Sequence, residues 1–336
     1  MSRSSLGKQA PLLCLSAILL LIPFIVGGLG ILHIINMIYL MIIASMSLNL
    51  ILRTGHVNFA HAAFVAIGAY ASTFLSMKAG FPFWLCLPLA GITGALIAWG
   101  LGWVILRIKG PYFFLVTVAF SEVLIRSLTR FKRVTGGHQG IEEIPKPSIT
   151  IPGLVDFKFE SEFSFYYLML VVMVASVIIM YRLQCGHWGL TWRAAREADM
   201  VAESAGVDVL RYKVIAYSTG CFFAAITGSL FAHYISFINP GTFGLLMMFG
   251  LLFAVIVGGR EYFYGPMIGI ILLRGCSAAV ARMAEYEPMV YGTILILTIL
   301  FFPNGVASLS SGFVTRWSKI LPFIIMKRRT GEPVRD

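Results

Sequence analysis

The side chains able to do chemistry in this chain are few, and most of them lie together. Gly189 to Lys213 carries Arg193, Arg196, Arg211 and Lys213 against Glu197, Asp199, Glu203 and Asp208. Such a mixture forms ion pairs and docks on other proteins, and it cannot sit in hydrocarbon. Glu122 is the one acidic residue well inside an apolar run, with Arg126 a helical turn beyond it. An intramembrane carboxylate of this kind reads either as half of a structural ion pair or as a proton relay. His56 and His61 are five residues apart, which puts them on different sides of a helix and argues against a metal site. The five cysteines, Cys14, Cys86, Cys185, Cys221 and Cys276, are scattered, with neither a disulfide framework nor a CxxC pair. No P-loop, HExxH, nucleophile elbow or catalytic carboxylate pair occurs, so neither ATP hydrolysis nor any other enzymatic activity is expected, and no cofactor in this chain.

The elements that position these residues are apolar. Of 336 residues, 58% are hydrophobic and 12% charged, and the mean hydropathy is +0.86. That composition excludes a soluble globular chain. Runs of about 20 apolar residues, each able to cross a bilayer, fill most of the length. The expected fold is an all-α polytopic membrane protein of about ten spans, forming one domain over residues 1–336. Its spans run near 11–26, 31–52, 60–77, 83–106, 112–128, 164–181, 214–234, 243–257, 262–282 and 288–302. The first reads as a retained signal-anchor helix. The loop 129–163 holds TGGHQGIEEIPKP, whose Gly and Pro call for shaped turns. Gly94, Ala98 and Gly102, and again Gly265 and Gly269, form small-residue ridges that let helices approach closely in lipid.

The net charge of +11 falls mainly in alternate loops. Arg3, Lys8, Arg53, Arg107, Lys109, the charged segment within 183–213, Arg260 and the basic tail within 303–336 lie on one side. Lys78, Arg130, Lys132, Arg133, Lys146 and Lys158 lie on the other. The bias predicts N-in, C-in, with the charged segment in the cytoplasm. Without a basic domain or an aromatic-interleaved basic face, no nucleic-acid partner is expected.

Inside the charged segment Trp192, Ala195, Ala198, Ala202 and Ala205 recur at spacings of three and four. They form one stripe of a helix, with Gly206 as its stop. A solvated loop with a stray helical turn is the alternative. Asn36, Asn49, Asn58, His61 and Tyr70 are polar groups in or beside spans two and three. They line a cavity or bond one helix to the next.

Four runs, GHVNFAHAAFVAIGAYAS, IKGPYFFLVTVAFSEVLI, TGGHQGI and GLTWRAAREADMVAESAGVDVLRYKVIAYSTGCFFAAITGSLFAHY, occur in this order. Together they resemble the permease subunits of branched-chain amino acid ABC importers, the longer of the paired subunits above all. The resemblance covers about residues 30 to 305. It implies a second homologous permease, two cytoplasmic ATPases that bind ATP and Mg, and a periplasmic solute-binding protein, all assembled at the bacterial inner membrane. It also implies that the charged segment is the coupling region, with Arg193, Arg196, Glu197, Asp199, Ala202, Glu203 and Gly206 as its contact set. The general importer pattern of Glu-Ala-Ala followed by Gly is degenerate here, because Met200, Val201 and Ala202 occupy the first three places before Gly206. Asp199 or Glu203 then stands in for the missing Glu. Members of the family also move urea, short amides and aromatic acids. A secondary transporter or channel driven by an ion gradient is the competing reading, and an intramembrane ion-coupling cluster would mark it.

Overall fold

The computed structural model describes residue 23 and residues 28–108, 110–151, 155–159, 161–197, 199–204, 206–279 and 287–309. The expected first span, apart from Pro23, and the tail beyond residue 309 lie outside them. Apart from one hairpin the regular elements among the described residues are helical. In chain order they form α1 (Leu29–Leu52), α2 (His61–Met77), α3 (Phe83–Ile105), α4 (Pro111–Arg130) and the single turn α5 (Lys132–Thr135). The antiparallel strands β1 (Ser148–Ile151) and β2 (Val155–Lys158) follow. Then come α6 (Glu162–Cys185), α7 (His187–Glu197), α8 (Asp199–Ser204), α9 (Val209–Ile235), a 3-10 turn at Pro240–Phe243, α10 (Leu245–Gly258), α11 (Gly265–Ala279) and α12 (Glu287–Phe301).

Six of these helices are long and apolar enough to cross a membrane: α1, α3, α4, α6, α9 and α10 with its leading turn. Three shorter apolar helices lie within α2, α11 and α12. All nine fall at the positions of the second to tenth expected spans, and the six long ones fit a polytopic membrane protein. Two boundaries differ from expectation. The helix after the 129–163 loop starts at Glu162 because Ser161 caps it, its side chain accepting from the Ser164 amide. The helix after the charged segment starts at Val209, capped by Asp208, so Lys213 belongs to a transmembrane helix rather than to the loop before it.

The chain divides after Leu252 into two compact units. In the first, α9 is the axis: 78% of its apolar window is buried, against 17% for α4. It packs on α1, α2 and α3, while α6 packs along α1. Lipid supplies no hydrophobic drive between helices, so close backbone approach must supply the attraction. The ridge of α3 does this. Ala98 is fully buried, and a Cβ on Gly94 would stand 2.5 Å from the Ala225 side chain of α9. In the second unit the same device joins α10 to α11, where a Cβ on Gly269 would lie 1.9 Å from the Ala254 carbonyl oxygen. The expected turn-rich loop contains the β1–β2 hairpin and a bridge from Ile141 to Ile238.

Candidate functional site

The charged segment is a short, anchored helical unit rather than a solvated loop. Its stripe faces inward. Trp192, Ala195 and Ala202 are buried, and Ala195, Ala202 and Val209 form a small apolar cluster with Val207 against it. Ala198 and Ala205 lie outside the described residues. The indole Nε1 of Trp192 donates to the Tyr212 carbonyl, at 3.0 Å, tying α7 to the first turn of α9. After α8 the chain reverses at Gly206, whose φ of +83° is open to glycine at little cost.

A second tie is ionic. The Lys213 ammonium donates to both carboxylate oxygens of Asp199, at 2.9 and 2.8 Å, with the lysine side chain 8% exposed. Of the expected contact set, Asp199 and Ala202 therefore hold the segment onto its own chain. Arg193, Glu197 and Glu203 are exposed, and Arg196 is half-buried. Arg196 lies over the elbow between α1 and α2, where a Cβ on Gly55 would meet its Cγ at 3.4 Å.

Between this segment, that elbow and the end of α3 is a cleft of about 410 Å³ lined by Gly55, His56, Arg107, Arg196, Asp199 and Lys213, among others. Burial pushes His56 below its ordinary value of 6.5 and the nearby Lys213 ammonium adds to this, whereas the Thr54 carbonyl and the Asp199 carboxylate act in the opposite direction. Above that ordinary value the imidazole is neutral in both the folded and unfolded chain. As pH falls below it, the unfolded chain takes up the proton first, so the folded state loses stability with acidification. The melting temperature of the purified protein is expected to fall between about pH 7 and about pH 5, and His56→Gln, which cannot titrate, is expected to flatten that slope. An unchanged slope in the variant would show that other groups set it.

The five polar residues expected along a passage do not converge. Asn36 and Asn49 sit on α1 thirteen residues apart, about 20 Å along the helix. Asn36 belongs to a network that joins three helices at the end of the unit bearing the hairpin. Its Nδ2 donates to Glu162 Oε2 at 3.1 Å and lies 3.3 Å from the Tyr234 hydroxyl, which itself donates to Glu162 at 2.5 Å. His33 Nδ1 is 2.7 Å from the same hydroxyl. His61 is bound to α1, its Nε2 lying 2.9 Å from Ser47 Oγ and 3.1 Å from the Ala44 carbonyl. Asn49 is buried with neither side-chain polar atom bonded to protein, and Asn58 Nδ2 and the Tyr70 hydroxyl are likewise without a partner.

Sequence reasoning missed Glu162 and Tyr234, because an acidic residue bordering an apolar run is ordinarily a helix end in water. It also missed the chain from the Pro145 carbonyl through His233 to Ser72 and Ser229, with links of 2.7, 2.8 and 2.8 Å. A signal existed, since hydroxyls and a histidine recur along α9 at helical spacing. Glu122 and Arg126 form an i,i+4 ion pair at 3.3 Å, which answers the structural reading of that carboxylate.

Comparison with known proteins bears on the whole of this arrangement. A family model described as the permease component of branched-chain amino acid transport systems matches residues 30–302. The high-affinity branched-chain amino acid permease protein LivM of Salmonella typhimurium is 29% identical over 321 residues, covering 90% of this chain and 75% of the relative. LivM of Escherichia coli is 29% identical, with 84% and 71% covered. LivH of Escherichia coli, named as a permease protein of the same kind of system, is 25% identical, with 75% and 85% covered. No solved structure matches the chain.

Proposed function

Because the chain belongs to the family of branched-chain amino acid transport permease components, we propose that it is the translocating subunit of an ATP-driven importer for branched-chain amino acids. In this reading it is a single ten-span permease domain, N-in and C-in, in the bacterial inner membrane. It pairs with a second permease of its own kind, because relatives named LivM and LivH both resemble it. Two cytoplasmic ATPases supply ATP and Mg, and a periplasmic binding protein delivers the solute. The subunit itself performs no covalent chemistry.

The observation that carries the coupling is the mount of the charged segment. Trp192, Asp199 and the alanine stripe bind it to α9 at Tyr212, Lys213 and Val209. A push on α7 and α8 therefore reaches the most buried helix of the bundle without passing through a flexible loop. Arg193, Glu197 and Glu203 face outward and remain available to a partner. Closure of the ATPase pair around ATP would shift this mount and tilt α6 and α9, the two helices it joins. Alternating access by such rigid-body movement is an established mode of switching. Gly206 serves as the hinge-free end of α8, and the Arg196–Gly55 contact extends the same push to α1 and α2.

The test is purification of the tagged chain with its neighbouring ATPases, followed by reconstitution with the binding protein. Uptake of labelled leucine that requires ATP and the binding protein is the expected result. A chain that purifies alone and moves leucine along an ion gradient would sink the importer reading and return attention to Glu122.

A further inference from the structure

The cleft beside the charged segment has a lining that the coupling role leaves unused. Its volume of about 410 Å³ falls within the range of about 300–1,000 Å³ usual for small-molecule sites. Three separate parts of the first unit enclose it: the elbow at Thr54, Gly55 and His56, the turn between α3 and α4 at Leu106, Arg107 and Gly110, and the stretch from Ala195 to Lys213. Charges of both signs line it, and they do not all cancel. Asp199 and Lys213 satisfy each other at 2.8 Å. Arg107, just past the end of α3, and Glu203, on α8, are exposed and make no ion pair among the described residues. Glu203 lies four residues beyond Asp199, on the same side of α8. Arg196 adds a second guanidinium over the elbow. The remaining wall is apolar, with Leu106, Ala195 and Val209 buried and Leu210 half-buried.

This lining selects among ligand classes. A phosphate or other bare anion would face Glu203, and a metal cation would face Arg107 and Arg196. Neither would use the apolar wall. A molecule with one carboxylate, one ammonium and a short aliphatic body answers all three features. A guanidinium takes a carboxylate through two parallel N–H donors, a carboxylate accepts from an ammonium, and the aliphatic body covers the wall and leaves water.

We infer that this cleft binds a free aliphatic amino acid from the ATPase side, its carboxylate on Arg107 and its ammonium on Glu203, and that the bound molecule arrests the importer. The inference rests on the permease reading above and adds to it a regulatory site separate from the passage. The arrest follows from where the ligand sits. It joins the turn after α3 to α8, and α8 belongs to the mount whose shift tilts α6 and α9. A ligand bonded to both sides favours the present arrangement over one in which they separate, and it shifts the equilibrium by that difference in affinity. Solute that has accumulated inside thereby opposes its own import.

The test uses the assembled importer in proteoliposomes, with its ATPases facing outward and the binding protein and leucine enclosed. ATP hydrolysis is measured while leucine is added outside. Saturating outside leucine is expected to slow hydrolysis at least about fivefold. Leucinol, which lacks the carboxylate, and 4-methylpentanoate, which lacks the ammonium, are expected to need at least about tenfold higher concentration for the same effect. Arg107→Gln is expected to leave the uninhibited rate unchanged and to erase the advantage of leucine over leucinol, while Arg107→Lys keeps part of it. Glu203→Gln, read against its own uninhibited rate, is expected to erase the advantage of leucine over 4-methylpentanoate. No inhibition by outside leucine, or the same half-inhibitory concentration in Arg107→Gln as in wild type, would overturn the inference and leave the importer intact. If enclosed leucine is not moved by ATP even with none outside, the permease reading fails and the inference goes with it.

Discussion

Gly228→Ala is expected to prevent this chain from accumulating as a folded protein. Its Cβ would stand 1.9 Å from the Val65 carbonyl oxygen and 2.8 Å from the Ala69 amide nitrogen. On the facing helix, a Cβ on Gly68 would stand 2.0 Å from the Ala225 carbonyl oxygen. The two glycines mark one crossing, where α2 and α9 touch backbone to backbone. No flexible side chain can yield there, so the helices must separate and surrender the close contact that attracts them. Overpacking of a core ordinarily costs about 1–3 kcal/mol, and a clash against backbone at the central helix is expected to reach about 3 kcal/mol or more. Thermal unfolding of the detergent-purified chain, together with its yield from membranes, measures this. Gly100→Ala on α3 is the control. A Cβ there meets nothing within 4 Å, and alanine is the better helix former by up to about 1 kcal/mol. Equal stability of the two variants would refute the crossing.

Under the importer proposed above, reversal of charge at Arg193 and Arg196 is expected to leave the bundle folded and to separate it from the ATPases of that proposal. The mount of the segment depends on Trp192, Ala195, Ala202 and the Asp199–Lys213 pair. Arg193 is exposed and contributes nothing to that mount. Truncating one member of a desolvated charge pair at an interface typically costs about 2–5 kcal/mol. Arg193→Glu plus Arg196→Glu is therefore expected to weaken co-purification at least about thirtyfold and to remove ATP-dependent leucine uptake. Arg196 also packs over Gly55, so Arg193→Glu alone is the cleaner arm, with a smaller effect in the same direction. ATPases retained at the wild-type level by the double variant would place the contact elsewhere on the molecule.

The legibility of this chain varied with the range of the interactions concerned. Helix positions were readable because a bilayer imposes a length of about 20 apolar residues, a local property. The stripe of Trp192, Ala195 and Ala202 was readable because periodicity is local too. The roles of single polar residues were not. Asp199 looks in sequence like a partner-facing carboxylate, yet it bonds Lys213 fourteen residues on. Glu162 looks like a helix end in water, yet its partners, Asn36 and Tyr234, come from helices 126 and 72 residues away. Asn36 and Asn49 look alike on one helix, and only the neighbouring helices distinguish them.

The sequence by itself determined that the chain is an apolar helical membrane protein interrupted by one charged segment, and, by resemblance, which family it belongs to. Composition, run length and motif order suffice for that, since each is summed along the chain. Only the tertiary structure decided that α9 is the axis and that Asp199 and Lys213 lock the segment to it. Pairing between distant residues depends on which helix faces come together. In lipid those faces are chosen by close packing of small residues rather than by apolar burial, which leaves little trace in hydropathy.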